Sequence, residues 1–383
     1  MAEGEAPPSS PNRHTPPAPI KDDEVREFMT DWFGPGFEPM PMLAWSVRKR
    51  ASLMGSGKSK RFLPTFRPFD LLAKPNDAQL VFENECQRIG VESVCGAQPA
   101  FTRYLDFNAL YFQFAGSTRV ETECGEYDTA PGELLLVPEG LAHRSWGTAD
   151  SLRWYFHLHE PVRVMMDAAN EVSVTEFTAR RSSGPNWSVP ADRAVRLKDQ
   201  VQERMVQWRD RSAAEATVVE RDYGSLVGAT SKQRDRPESL VKKLRAFDCF
   251  TEITGQRGPG PKLIATDNFA LETYNTVGAQ FAFHRGLQSD EFGFQFAGHG
   301  YNLSELEAKV ATPPGACALV PLGIAHSVLC DPGFLRFVAY SRIPWEVRAD
   351  VGKHAYDSRF DIVPKVVKPH AWHSAKPAGA PHH

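Results

Sequence analysis

The sequence predicts an all-β fold with a few helices, built as two copies of one barrel or jelly-roll unit. Three observations lead there. The first is an internal repeat. Residues 96–116 (GAQPAFTRYLDFNALYFQFAG) align without a gap to residues 278–298 (GAQFAFHRGLQSDEFGFQFAG) at an offset of 182, and PGELLLVPEGLAH (131–143) aligns to PGACALVPLGIAH (314–326) at an offset of 183. The match continues through Leu152-Arg153 against Leu335-Arg336 and Pro161 against Pro344. So long a period implies duplication of a domain, not a solenoid. The second is the texture of the repeat: LYFQFAG, ELLLVPEG and LRWYFHLH are short runs of aromatic, β-branched and leucine residues, as strands require. The third is the Gly and Pro punctuation between those runs, which gives a sandwich, barrel or jelly roll.

The elements follow in order. Residues 1–22 are rich in Pro, Ser and Glu and read as a disordered segment. Residues 23–34 (DDEVREFMTDWF) have the length and pattern of a short helix. From 40 to 95, apolar runs broken by Pro and Gly suit strands, so a first barrel is expected over 23–185. In 191–212, Val195, Leu197, Val201, Met205, Val206 and Trp208 recur at roughly helical spacing among charges. With a second helix expected over 237–247, residues 186–247 read as a helical linker. A second barrel then spans 248–345, and 346–383 is a tail without a core pattern.

Composition excludes several classes of function. Hydrophobic content of 42% and charge of 24% are globular values. A net charge of −3 gives no basis for nucleic-acid or anionic-membrane binding. No apolar run reaches the roughly 18 residues of a membrane span, and the N-terminal stretch lacks the apolar core of a secretory signal. The cysteines (Cys86, Cys95, Cys124, Cys249, Cys317, Cys330) show no CxxC spacing. That reads as reduced thiols in a cytoplasmic protein. Unpaired sheet edges are compatible with a homo-oligomer.

The two copies differ where chemistry would sit. Thr102 and Ala109 of the first copy face His284 and Glu291 of the second, whereas His143 and His326 coincide. His284 ends one apolar run, Glu291 opens the next, and His326 follows a Pro-x-Gly turn. Strand alternation places Glu291, Gly293 and Gln295 on one face and Phe292, Phe294 and Phe296 on the other. Two imidazoles and one carboxylate leave open positions on a metal. That donor set suits non-haem Fe(II) chemistry, with an organic substrate and O2 held together.

The segment PG-x4-VP-x-G-x-AH, present in both halves, resembles the second motif of the cupin superfamily, so the chain resembles a bicupin. Neither half carries the usual His-x-His of the first motif. Instead FHRGLQSDEFGFQFAG is similar to the FHR…SE or FHR…DE segment of homogentisate 1,2-dioxygenase and its relatives. The resemblance implies double-stranded β-helix barrels and a ring-cleaving dioxygenase acting on a hydroxylated aromatic compound with O2. It also implies Fe(II) held by His284, Glu291 and His326. Asp290, six residues after His284 where Glu291 is seven, is the alternative carboxylate. Gln295, His299 and Tyr274 are candidate catalytic residues, and Arg336 and Arg342 candidate anchors for a substrate carboxylate.

Other signals are weaker. GSGKS (55–59) lacks the leading glycine of a phosphate-binding loop, since Ser52 stands there, and no helical run follows. His157-Leu158-His159 imitates a ligand pair but falls after the turn motif. Competing functions are a metal-dependent isomerase or lyase on a small acid, and a non-enzymatic binding bicupin.

Overall fold

The computed structural model describes residues 24–30, 45–49, 63–123, 125–165, 171–172, 200–207, 217–222, 241–247, 253–254, 262–279, 283–286, 288–305 and 310–351. Among these the chain is β throughout apart from one 3-10 turn at Pro68–Leu71. No helix among them is long and apolar enough to cross a membrane. The expected disorder of residues 1–22, the GSGKS stretch and the end of the tail lie outside the described residues.

The first half builds two sheets. One runs Lys242–Arg245, Glu133–Val137, Asn108–Ala115, Leu152–Leu158, Gln87–Ser93 and Ala78–Glu83 in spatial order. The other runs Gly125–Thr129, Thr118–Thr122, Ala142–Gly147, Ala100–Tyr104, Gln200–Val206 and Thr217–Asp222. Ala109, Tyr111, Val120, Tyr127, Leu135 and Val137 pack together as the interior of this unit. The second half repeats the plan in one thirteen-stranded sheet. Its longest strand, His326–Ser341, pairs through its first residues with Gly300–Ser304. Further along it pairs with Phe269–Ala279 on one edge and Asp290–Ala297 on the other. The duplicated, antiparallel two-barrel architecture read from the repeat is therefore present.

The helices expected in the middle are strands instead. Gln200–Val206 pairs in parallel with Ala100–Tyr104, and Lys242–Arg245 pairs with Glu133–Val137. Burial along the former alternates, with Val201, Glu203 and Met205 turned inward and Gln200, Gln202 and Arg204 exposed. The inward set includes a fully buried glutamate, ion-paired with Arg103, which disguises a period of two as a charged helix. Lys243 is buried in the same way against Glu133 (2.8 Å). Residues 24–30, expected in a helix, form a strand parallel to Phe283–Gly286.

That last pairing also crosses the expected domain boundaries. Glu24–Thr30, Thr65–Phe66 and Arg163–Val164, all from the stretch expected to be the first barrel, pair with strands of the second half. In return Glu346–Val347, expected in the tail, adds to the edge of Ala78–Glu83. Each half completes its sheets with chain from the other.

The two halves share one core. The faces turned away from the barrel interiors carry Phe82, Trp154 and Phe156 from the first half and Phe292, Phe294 and Phe337 from the second, all buried. Phe292 sits at the centre, with ring centroids 4.8 Å from Phe82, 5.4 Å from Trp154, 5.8 Å from Phe337 and 5.2 Å from Trp345. Aromatic pairs of this kind add about 0.5–1.5 kcal/mol each beyond area burial. Phe292→Ala is expected to lower stability by roughly 3–5 kcal/mol. In urea unfolding followed by tryptophan fluorescence and far-ultraviolet circular dichroism, both halves should lose structure in one shifted transition. Separate transitions, with only one displaced, would contradict the shared core.

Candidate metal centre

Three adjacent strands of the second barrel line up in rows on the interior face. Their Cα registers place Ala270, Tyr340 and Glu291 side by side, then Glu272, Val338 and Gly293, then Tyr274, Arg336 and Gln295. The corresponding rows of the first barrel are Arg88, His157 and Ala109, then Gly90, Tyr155 and Tyr111, then Glu92, Arg153 and Gln113. The middle row inverts between copies, from Gly–Tyr–Tyr to Glu–Val–Gly. In this row the first barrel therefore places two phenol rings, and the second a carboxylate beside two smaller residues.

Into that interior His284, Glu291 and His326 converge. All three are buried, and one donor atom from each lies within 4.8 Å of the others. His326 Nε2 is 3.1 Å and His284 Nε2 3.8 Å from Glu291 Oε2. His284 and His326 are cross-strand partners, with ring centroids 4.0 Å apart. His326 Nδ1 lies 3.1 Å from the Ile324 carbonyl, which only accepts, so Nδ1 carries a proton. In the neutral ring Nε2 then presents a lone pair to a carboxylate oxygen, an arrangement satisfied only by a proton or a cation between them. Metal bonds of about 2.1 Å at right angles hold neighbouring donors about 3 Å apart, close to the spacing here. The residues fit a divalent metal.

The electrostatics favour the ligand-ready states. Burial pushes His284 down to about 4, with His326 adding to the effect, so its imidazole is neutral at physiological pH. Burial alone would raise the Glu291 carboxyl, but His326 and His284 together hold it well below the usual carboxylate range. Arg336 Nη2 bonds Glu291 Oε1 at 3.1 Å, leaving Oε2 to the histidines. A glycine gives room opposite: a Cβ at residue 293 would meet the Arg336 guanidinium at 3.2–3.3 Å and press it aside by a few tenths of an ångström. In the first barrel that place is taken by Tyr111, stacked under Arg153 at 4.0 Å and bonded through its hydroxyl to His143 Nε2 at 2.8 Å. The one ligand-type histidine shared by both copies is thus capped by a phenol in the first.

A second device holds the frame. Arg285, next to His284, donates to Glu305 at 2.8 and 3.1 Å and to the Gly323 carbonyl. Glu305 also accepts from the Ala325 backbone N–H, next to His326 (3.1 Å). One carboxylate therefore ties together the two chain segments that deliver the histidines. The same trio recurs as Arg103, Glu123 and Gly140 in the first barrel. The scaffold is duplicated although the donor set is not.

The remaining sequence candidates fall in different places. Asp290, the alternative ligand, is spent on the backbone N–H groups of Leu322 (2.9 Å) and Trp345 (3.0 Å), outside the cluster. Gln295 lies on the interior face as expected. Its amide, however, donates to the carbonyls of Ala297, Gly298 and Leu335, as Gln113 does at Ala115 and Leu152, so its bonds tie down a strand end. His299 is exposed in the turn before Gly300–Ser304 and does not join the cluster. Arg342 bonds the Asp267 carbonyl at an exposed position. Tyr274 does lie inside, its ring 5.6 Å from the Arg336 guanidinium carbon. His157 packs among Tyr104, Phe107 and Tyr155, and among the described residues no second group of metal-type side chains forms around it.

Sequence reasoning missed Glu272 and Tyr340. Glu272 is fully buried, and the Tyr274 hydroxyl donates to its Oε2 at 2.7 Å. The Tyr274 and Tyr340 hydroxyls are 3.0 Å apart. Burial pushes the Glu272 carboxyl up to about 8, moderated by Tyr274 and by Lys262, its cross-strand neighbour. A signal was available: at the offset of 182, Glu272 faces Gly90, the same kind of asymmetry that marks His284 and Glu291.

No family model matches the sequence, and no curated protein does. Solved structures that are similar include a cupin 2 conserved barrel domain protein from Leptotrichia buccalis. It is 9% identical, with 76% of this chain and 100% of that chain covered and a TM-score of 0.39. They also include a mutant form of oxalate decarboxylase from Bacillus subtilis, 16% identical over 74% of this chain and 79% of that chain, with a TM-score of 0.38. A Pseudomonas syringae protein of unknown function is 9% identical over 74% and 100%, again at 0.38. The two barrels of this chain, each with a Pro-x-Gly turn before its histidine, stand on its own repeat and strand pairing.

Proposed function

We propose that this chain is a metal-dependent dioxygenase that cleaves the ring of a hydroxylated aromatic acid with O2, using Fe(II) held by His284, Glu291 and His326. The observation that carries the reading is the convergence of two imidazoles, that of His284 held neutral, and one ionised carboxylate in a single buried interior. Bound there, the iron would supply adjacent open positions for substrate and O2 and a path for charge between them.

The chain's own groups supply the rest. Arg336 uses one nitrogen on Glu291. Among the described residues no hydrogen bond occupies its Nε or Nη1, so these donors are free to bind a substrate carboxylate. The aromatic wall behind Glu291 and Gly293 keeps water from the site on that side. The Tyr274 hydroxyl, backed by that of Tyr340, is set against Glu272 in the same barrel, where a proton can be held at neutral pH. That last group also favours a second reading, a metal-dependent isomerase or lyase on a small acid, which would turn over without O2.

Protein loaded anaerobically with Fe(II) should carry one metal per chain by elemental analysis. It should consume O2 with at least one of gentisate, homogentisate, hydroquinone or a catechol. His284→Ala, Glu291→Ala and His326→Ala should each bind metal at least roughly tenfold more weakly and lose measurable O2 uptake. Turnover under strict anaerobiosis would move the assignment to the second reading, and full O2 uptake in all three variants would end both.

A pH experiment isolates the buried acid. Folded Glu272 keeps its proton up to about pH 8, whereas the unfolded carboxyl releases it near 4.5. The folded state therefore binds the extra proton between those values, and stability falls as pH rises toward 8. In metal-free protein the urea midpoint should drop from pH 5 to pH 8.5 by more in the wild type than in Glu272→Gln. Parallel profiles would show that Glu272 ionises normally.

A further inference from the structure

The strand that carries His284 is short. Phe283–Gly286 has four residues and meets the long strand His326–Ser341 only where His284 stands opposite His326. Its longer attachment is to Glu24–Thr30, which runs parallel to it. There Glu27 stands opposite Phe283, Phe28 opposite His284, Met29 opposite Arg285 and Thr30 opposite Gly286. A slip of one residue in that ladder would turn His284 out of the interior. The placement of one metal donor therefore depends on chain from the N-terminal part of the protein.

The first barrel has the same ladder. Gln200–Val206 runs parallel to Ala100–Tyr104, with Glu203 opposite Phe101, Arg204 opposite Thr102 and Met205 opposite Arg103. At the repeat offset of 182, Phe101, Thr102 and Arg103 become Phe283, His284 and Arg285. Glu27 thus holds the register of Glu203. The two strands are also alike in sequence. EVREFMT and QVQERMV share Val25 with Val201, Glu27 with Glu203 and Met29 with Met205. In the first barrel these three alternate residues face inward. The repeat therefore reaches beyond the barrels, and its arms are crossed: the arm that precedes each barrel pairs with the other one. Thr65–Phe66 and Lys242–Arg245 cross in the same way. Phe66 stands opposite Cys317 and Leu244 opposite Leu134, two positions equivalent at the offset of 183.

Glu203 pins its ladder with a charge. It is fully buried and accepts from Arg103 Nε, while the two terminal nitrogens of Arg103 bond Glu123 and the Gly140 carbonyl. A buried ion pair adds little net stability, because desolvation opposes the attraction, and its best-attested use is to fix register. In the second barrel the terminal nitrogens of Arg285 bond Glu305 and the Gly323 carbonyl, the same two partners. The residue before the arginine is Thr102 in the first barrel and His284 in the second. Only in the second does the device have a metal donor to place.

We propose that Glu27 is a positioning residue of the metal centre, acting on Arg285 as Glu203 acts on Arg103 and so fixing the register of His284. This rests on the metal-site reading above. Ligands must be held to within about half an ångström, and loss of the groups that orient them weakens metal binding by about 10–100-fold.

The test titrates Co(II) into full-length, metal-free protein, followed by visible absorption, with urea midpoints taken on the same samples without metal. Glu27→Gln should bind Co(II) about tenfold more weakly than the wild type, or worse, with altered d–d bands. Glu203→Gln makes the same change at the same register of the first barrel. It should lower the urea midpoint by a similar amount and keep the wild-type Co(II) affinity. In a double-mutant cycle, Glu27→Gln should add nothing to the loss of affinity caused by Arg285→Gln. If Glu27→Gln does not fold, Glu27→Asp, which keeps the charge and shortens its reach, should weaken Co(II) binding where Glu203→Asp does not. Unchanged affinity in the residue 27 variant, an equal loss in its residue 203 counterpart, or additive losses in the cycle overturns the assignment of Glu27 and leaves the metal-site reading standing. A wild type that binds no Co(II) overturns the metal-site reading and this assignment with it.

Discussion

The register of the strand His326–Ser341 is the constraint on which the rest of this molecule depends. It is paired along both edges, and it carries His326, Arg336, Val338 and Tyr340 toward one interior. Because side chains alternate with a period of two, a slip of one residue would turn Arg336 and Tyr340 into the aromatic core and bring Phe337 and Ala339 inside. Glu291 and Glu272 reach the same space only because their strands are locked to this one from opposite sides. The site is thus a property of three strands in register, and no single segment contains it.

The aromatic layer holds that register. Phe292, Phe294 and Phe337 point away from the site and pack against Trp154, Phe156 and Phe114 of the other half. On each of these strands every second residue belongs to the core and every other one to the polar interior. Packing on one face therefore selects the placement of charge on the other. This division explains how one barrel can fill its interior with Tyr111 and Tyr155 while its sister carries Gly293 and Val338 at those positions, beside Glu291 and Glu272. The outward residues, Phe112 and Trp154 against Phe294 and Phe337, stay apolar in both.

Much of this was legible in the sequence, because the repeat supplies its own control. Comparing the copies revealed the duplicated β architecture and isolated His284 and Glu291 as departures from a common frame, and the structure brings both to His326. The middle of the chain was not legible. Buried Glu203 and Lys243 break the apolar alternation that marks a strand, and their partners, Arg103 and Glu133, are remote in sequence. The exchange of strands between the halves was hidden for a related reason: pairings such as Phe66 with Cys317 or Glu346 with Glu83 are non-local and leave no periodic trace. Gln295 shared a face with the ligands, but direction alone could not show that its amide was already engaged with Leu335 and Ala297.

The interleaving of the halves bears on what the first copy does for the second. Thr65–Phe66 and Arg163–Val164 finish sheets of the second barrel, and Glu346–Val347 finishes one of the first. Excising either copy would strip edge strands from the survivor and lay bare the aromatic layer between them. With this mutual completion, neither barrel can be removed without breaking the sheets of the other. The first half thereby serves the second as architecture, whatever its own chemistry.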